Sequence, residues 1–296
     1  MTRHERALAS LLRRWPWALR EAPVSELAEW LYQRLFIGWR EPSRPREDFA
    51  GDPAFVAELL ARTGAARTWE DGFTVTQRSR AGAFVARDGL RLFTADASGL
   101  RPPRARTGQR VAVRVPCARQ SAIPGFFTVV SRAGRLPEGE PHLRLYLHVT
   151  ARGVPDLLEG LLTDSSLVRA RFEAKVGNEP AHYRRRDTAV LYVTPRDFRA
   201  VALWCQAFRR RHARDFRADT PPMTWPLGPG LSACESPSGT EESYGAHRCR
   251  LIAEGLALAR EEALSWAAAV SRRFAQEGLD WAQPWLGRLG ATWLKG

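Results

Sequence analysis

Lysine is nearly absent from this sequence: of 45 Lys and Arg residues, only Lys175 and Lys295 are lysine. Cysteine is also sparse. Cys117, Cys205, Cys234 and Cys249 stand without CxxC spacing or a companion histidine pair, which argues against a metal site and leaves reduced thiols as the expectation. No uninterrupted apolar run reaches ~18 residues, so no membrane span is expected. The opening MTRHERALASLLRRWPWALREAP carries charge on both sides of a broken apolar segment and lacks a small-residue cleavage site, unlike a secretory signal. A cytosolic location follows as an expectation. The phosphate loop GxxxxGK followed by Ser or Thr, the nucleophile elbow GxSxG, HExxH and a GxGxxG turn are all missing. So are helix-turn-helix, zinc-finger and aromatic ribonucleoprotein patterns. Neither a metal nor an organic cofactor is expected, and neither nucleic acid nor membrane is an expected partner.

What is present describes a folded protein. The chain has 296 residues, 44% of them hydrophobic, with eleven Trp, enough for one large domain with an appended subdomain or two close-packed ones. The formal charge of +13 and pI near 10.7 favour an anionic partner. The arginine excess also fits codon use in a GC-rich genome, in which an exposed arginine needs no ligand.

Hydrophobic spacing divides the chain. ERALASLLRRW, VSELAEWLYQRLF and PAFVAELLART repeat at helical intervals, with Ser25 and Asp52-Pro53 as start signals. The spacing therefore predicts an N-terminal helical region over residues 1–66, with a Pro- and charge-rich loop in GWREPSRPREDFAGD. From Trp69 the period shifts toward two, and five short runs up to HLRLYLHVTA predict mostly antiparallel strands. A helix, two strands and a long helix follow. The stretch from ADTPPM to ESYGAH predicts a long ordered loop, and RCRLIAEGLALAREEALSWAAAVSRRFAQEG predicts one helix of about eight turns. Residues 67–296 thus read as an α+β domain, a mostly antiparallel sheet with packed helices and a long C-terminal helix.

The chemistry gathers in RFEAKVGNEPAHYRRRD. Arginine clamps phosphate with a planar fork but holds its proton under ordinary conditions, whereas lysine is able to act as a general base. Period two places Glu173 and Lys175 on the polar face of a half-buried strand and Phe172 and Ala174 on the other. Tyr183, Arg185 and Asp187 alternate onto one side of the expected next strand, with Arg184 and Arg186 left to solvent. Paired strands would bring lysine, arginine, tyrosine and carboxylate into one cleft suited to a phosphorylated substrate.

The pieces FEAKV, YRRRDTAVLYV and DTPPMTWPLGPGLSACESPSGTEESYGAHRCRLIAEGL resemble the HopA-type family, named after a type III secretion effector. PGFFTVVSR, LRLYLHVT and VARDGLRLF extend the likeness over most of the chain. Bacterial relatives occur in clusters for thioamitides and class V lanthipeptides. The resemblance implies a lyase that follows a partner kinase, eliminating phosphate from phosphoserine or phosphothreonine in a precursor peptide to leave dehydroalanine or dehydrobutyrine. It implies that Lys175 removes the α-proton, with Tyr183, Arg185 and Asp187 around the phosphate or enolate. Arg144, Thr224 and Arg248 or Arg250 are further phosphate candidates, although Arg248 and Arg250 point to different faces of one helix. His247 is the first candidate for the acid and His148 the second. Phe127 and Tyr244 replace a tyrosine and a phenylalanine of the family pattern. The rival reading is a scaffold without catalysis that presents the peptide to the kinase.

Overall fold

Alternation of apolar and polar residues decides most of the sheet structure. The computed structural model describes residues 1–15, 21–40, 48–95 and 97–294, so Lys295 and residues 41–47 of the charge-rich loop lie outside the described residues. α1 (Arg3–Leu12) starts at Thr2, whose hydroxyl accepts from the Glu5 N–H while the Glu5 carboxylate accepts from the Thr2 N–H, a capping box. α2 (Val24–Leu31) runs into a π-helical turn, Tyr32–Phe36. Pro23, not Ser25, precedes α2. α3 (Pro53–Thr63) begins as its sequence predicts, with the Asp52 carboxylate accepting from the Phe55 N–H at 2.7 Å.

Two antiparallel sheets follow. β1 (Arg67–Ser79), β2 (Gly82–Arg87), β3 (Leu90–Thr94), β4 (Leu100–Arg101) and β5 (Arg110–Pro116) form the first, in the order β3-β2-β1-β5-β4. The second contains β6 (Ala118–Ile123), β7 (Phe126–Val130), β8 (Leu143–Leu147), β9 (Phe172–Gly177), β10 (Ala189–Val193), β11 (Trp225–Gly228) and β12 (Leu231–Glu235). Its order is β11-β12-β8-β10-β9-β7-β6. Glu70 of β1 pairs with Arg119 of β6 and with Arg87 of β2, tying the sheets together. The helices α4 (Val154–Thr163), α5 (Phe198–Arg211), α6 (Tyr244–Glu261) and α7 (Trp266–Gln276) complete an α+β fold.

The seven-stranded sheet separates two apolar cores. On one face Phe127, Leu145, Ala174, Val176 and Leu191 pack with Leu59 of α3, Leu157 of α4 and Val201 of α5. On the other, Tyr146, Val190 and Cys234 meet Leu31 of α2, Phe36, Ile252 of α6 and Phe274 of α7. Each fully buried side chain of this size contributes about 1.5–3 kcal/mol. The helices of the first 66 residues therefore divide between the two cores.

Two sequence expectations change. The long loop contains the hairpin β11–β12, and β12 is an inner strand between β11 and β8 with all five residues buried. A strand covered on both faces shows no alternation, and its Pro- and Gly-rich flanks conceal it further. The expected single C-terminal helix is two, α6 and α7, separated at Glu262–Ser265. Ala263 takes the left-handed region with φ 55°, and the Ser265 hydroxyl caps α7 through the Ala268 N–H. No glycine or proline marks the break. Because a side chain at positive φ is strained, Ala263→Gly is expected to stabilise the protein by about 1 kcal/mol. An unchanged or lower denaturation midpoint would contradict this.

Candidate functional site

Residues directly opposite in an antiparallel ladder share a face. Thr128, Lys175, Val190, Tyr146 and Ser232 therefore make one row across five strands. Val130, Glu173, Tyr192, Arg144 and Cys234 make the next. Toward β12 this face is sealed by α2 and α6, whereas toward β9 it carries charge.

Half-buried Lys175 is at the centre of that polar region. Its Nζ lies 4.5 Å from the Phe126 ring centroid and 5.9 Å from that of Tyr192, within cation–π range. Among the described residues it has no hydrogen-bond or ion-pair partner.

Beside it lies a buried ion pair. After β9 the chain enters a 3-10 turn, Pro180–Arg184, instead of the expected strand, and Arg185 emerges from it into the site. Arg185 Nε donates to Asp187 Oδ1 at 2.8 Å and Nη2 to Oδ2 at 3.1 Å. The Tyr32 hydroxyl donates to Asp187 Oδ2 at 3.0 Å. Arg185 and Asp187 are 6% and 7% exposed, so each depends on the other for its charge. Burial alone would raise the Asp187 carboxyl. The Arg185 guanidinium, Lys175 and the Tyr32 hydroxyl together outweigh burial and hold the group below its ordinary range. Arg185 Cζ is 6.0 Å from the Phe126 centroid, so lysine and arginine flank one ring.

Arg144 approaches from the other side. Its Nε donates to Ser236 Oγ at 2.8 Å, and its Cζ lies 5.0 Å from the Tyr192 centroid. Tyr192 thus stands between Arg144 and Lys175. The His142 ring meets Tyr192 edge-on at 5.6 Å, and burial followed by the Arg144 charge lowers its pKa. His142, Glu173, Tyr192 and Ser236 line a cavity of about 750 Å³. Tyr32, His142 and Ser236 were not among the sequence candidates. Period two offered a signal for His142, two residues before Arg144 on the same face; nothing local signals Tyr32.

The other candidates lie elsewhere. Tyr183 is buried in the opposite core, its hydroxyl donating to the Gly177 carbonyl at 2.7 Å and its ring edge-on to Phe55. The 3-10 turn rotates it away from Arg185, which corrects the shared side expected from alternation. Thr224 Oγ1 donates to the Pro221 carbonyl at 2.6 Å inside a turn. Arg248 is buried, donating to the carbonyls of Pro284 and Leu286 and so fastening the C-terminal segment. Arg250 forms surface ion pairs with Glu242 and Glu254. His247 accepts from Arg248 at 2.8 Å, and burial together with Arg248 and Arg250 pushes its pKa down to about 4. His148 lies across β10 from β9, its Nδ1 3.0 Å from the Asp219 carboxylate. Arg186, expected in solvent, pairs with Asp219 and donates to the Leu35 carbonyl.

An α+β sheet that carries a lysine, two arginines and aromatic rings on one face is the class of protein this geometry defines. The chain belongs to the HopA1 effector protein family, whose model matches residues 117–286. It is similar over 96% of its length to 95% of a solved effector protein from Pseudomonas syringae pv. tomato strain DC3000, with 19% identity and a TM-score of 0.56, a likeness of fold. An effector protein from Pseudomonas syringae pv. syringae strain 61 aligns over 89% of this chain and 95% of its own, with 16% identity and a TM-score of 0.49. No curated protein matches the chain. No helix among the described residues is long and apolar enough to cross a membrane.

Asp187→Asn would leave the Arg185 guanidinium buried without its counter-charge, at a cost of about 3–5 kcal/mol near neutral pH. Because folding lowers the Asp187 pKa, its contribution is present above the ordinary aspartate range and is lost as pH falls through the lower folded value. Denaturant titrations across acidic pH are expected to show that loss in the wild type and less of it in Asp187→Asn. Equal stability of the two proteins at neutral pH would contradict the assignment.

Proposed function

We propose that the protein is a phosphoserine or phosphothreonine lyase acting on a kinase-phosphorylated ribosomal precursor peptide. The observation that carries this reading is Lys175, an amine without a hydrogen-bond partner among the described residues, sharing the Phe126 ring with a buried arginine. Family membership and the +13 charge support it.

In this reading the Lys175 amine takes the α-proton of the phosphorylated residue. The Cα–H electron pair becomes the Cα=Cβ bond, the Cβ–O bond breaks, and phosphate leaves with that bonding pair. The product is dehydroalanine from serine or dehydrobutyrine from threonine. Arg185 and Arg144 neutralise the charge gathered on the enolate and phosphate oxygens. Asp187 and Tyr32 position Arg185. The phosphate departs as an anion neutralised by these arginines, and His142, whose ring meets Tyr192 at 5.6 Å, lines the cavity beside them. No cofactor is required by this chemistry. The partners are the phosphorylated precursor, with its leader segment, and the peptide kinase that prepares it, in the cytosol.

A phosphorylated precursor incubated with the protein and then with a thiol is expected to form the adduct of a dehydroamino acid. Lys175→Arg and Lys175→Ala are each expected to lower this rate at least ~100-fold, the scale of a lost general base. A Lys175→Arg protein working at the wild-type rate would overturn the reading, as would a wild-type protein that leaves the phosphopeptide unchanged.

A further inference from the structure

The five-stranded sheet lies outside the segment that the family model matches, and it carries a charge excess of its own. Residues 67–116 hold ten arginines and four acidic residues, a net +6 of the chain's +13 in about a sixth of its length. Codon use sets whether a cation is arginine or lysine, but it does not gather net charge in one stretch of a chain. The register shows where part of that charge stands: Arg91, Ala86, Thr74 and Arg110 form one row across β3, β2, β1 and β5. In the next row Phe93 lies opposite Phe84, their ring centroids 4.9 Å apart, with the Arg91 Cζ 4.5 Å from the Phe84 centroid. Neither row contains an acidic residue. Phe93 is 49% exposed, as is Leu90 on the other face of β3.

β3 is also an edge of its sheet. The two-residue turn Asp88-Gly89, with φ of 50° and 79°, makes Arg87 and Leu90 a hydrogen-bonded pair. Alternation then turns the N–H and C=O groups of Leu90, Leu92 and Thr94 toward β2 and those of Arg91 and Phe93 away from the sheet. Among the described residues nothing pairs with the outward groups. Native edge strands are kept from pairing by charge, proline or a bulge. Leu90-Arg91-Leu92-Phe93-Thr94 has one charge, no proline and an unbroken register with β2. Such an edge is open to a further strand.

The chemistry of the edge decides what that strand is. Outward N–H and C=O groups in alternation match another peptide backbone, which a nucleic acid does not offer. A second copy of the chain would set Arg91 and its basic sheet against their like, which is repulsive. The matching strand is an extended peptide with acidic side chains beside Arg91 and apolar ones beside Leu90 and Leu92 on the opposite face. A groove of about 1040 Å³ links this edge to the candidate site. It runs from Arg87 and Asp88 at the β2–β3 turn to Leu136, Pro137 and Glu138, and those three residues also line the cavity at Tyr192. The groove is lined by both signs of charge, so the selection for acid rests with β3.

We propose that the β3 edge binds an acidic, extended segment of the phosphorylated peptide as a sixth strand of its sheet, and that the groove leads the rest of that peptide to the Lys175 face. The pairing follows from the sheet itself; the identity of the bound peptide as the substrate rests on the lyase reading.

Fluorescence anisotropy of the full-length protein with a labelled peptide of alternating valine and glutamate tests the edge, with lysine in place of glutamate as the control. The glutamate peptide is expected to bind at least ~tenfold more tightly, and Arg91→Glu is expected to reverse that order. Arg210→Gln with Arg211→Gln, at the end of α5, is expected to leave binding intact. A strand pairs through one edge at a time, so N-methylation of the valines and of the glutamates is expected to abolish binding in one peptide and spare it in the other. Equal affinity for the glutamate and lysine peptides would overturn the proposal, as would equal tolerance of both methylations or an equal loss in the α5 variant. Dimerisation through the edge, seen in sedimentation and removed by Phe93→Lys, would overturn the choice of occupant. On a peptide that joins phosphoserine to the glutamate stretch, Arg91→Glu is expected to raise KM at least ~tenfold with kcat unchanged, and an unchanged KM would contradict the proposal. Binding at β3 without elimination from any phosphopeptide would count against the lyase reading alone.

Discussion

The buried pair of Arg185 and Asp187 is the constraint around which the candidate site is organised. Removing two charges from water costs several kcal/mol per ion, recovered only with good geometry and further hydrogen bonds. Here the contact is bidentate, and Tyr32 supplies the further bond. Tyr32 comes from the π-helical turn beyond α2, and Asp187 from the approach to β10, so the N-terminal helices and the sheet must dock for the pair to close. Docking in turn places Phe36 on Tyr146 and Tyr244, sealing one half of the sheet face and leaving the Lys175 half polar.

The family match begins at residue 117, just after the last strand of the first sheet, and ends at residue 286. It includes Lys175, Arg185, Asp187, Arg144 and His142. It does not include Tyr32. The hydroxyl that steadies Asp187 therefore comes from outside the matched segment, and so does Glu70, which joins the two sheets through Arg119. The N-terminal region is a part of the site's support and not a detachable addition to it.

Much of this was legible in local pattern. Period two put Glu173 and Lys175 on one strand face and Phe172 and Ala174 on the other, and the register agrees. Asp52-Pro53 starts α3 as its chemistry requires. Other features were not legible for identifiable reasons. Tyr183 sits within a short 3-10 turn that alternation cannot anticipate. β12 is buried on both faces and shows no period. The break between α6 and α7 rests on Ala263, a residue with no turn signature. Arg186 read as solvent charge because its partners, Asp219 and Leu35, are remote in sequence. Tyr32 is 155 residues from Asp187, a relation that tertiary packing alone reveals.

The lysine scarcity acquires a physical meaning in this setting. An arginine at position 175 would supply the same charge to Asp187 and the same stacking on Phe126, but it would not take up a proton. The most direct test of that distinction uses a peptide whose phosphoserine carries deuterium at the α-carbon. If Lys175 removes that atom, phosphate release by the wild-type protein is slowed by the heavier isotope and every product molecule has lost its deuterium. Release of phosphate with the deuterium retained and a serine hydroxyl restored would contradict the account.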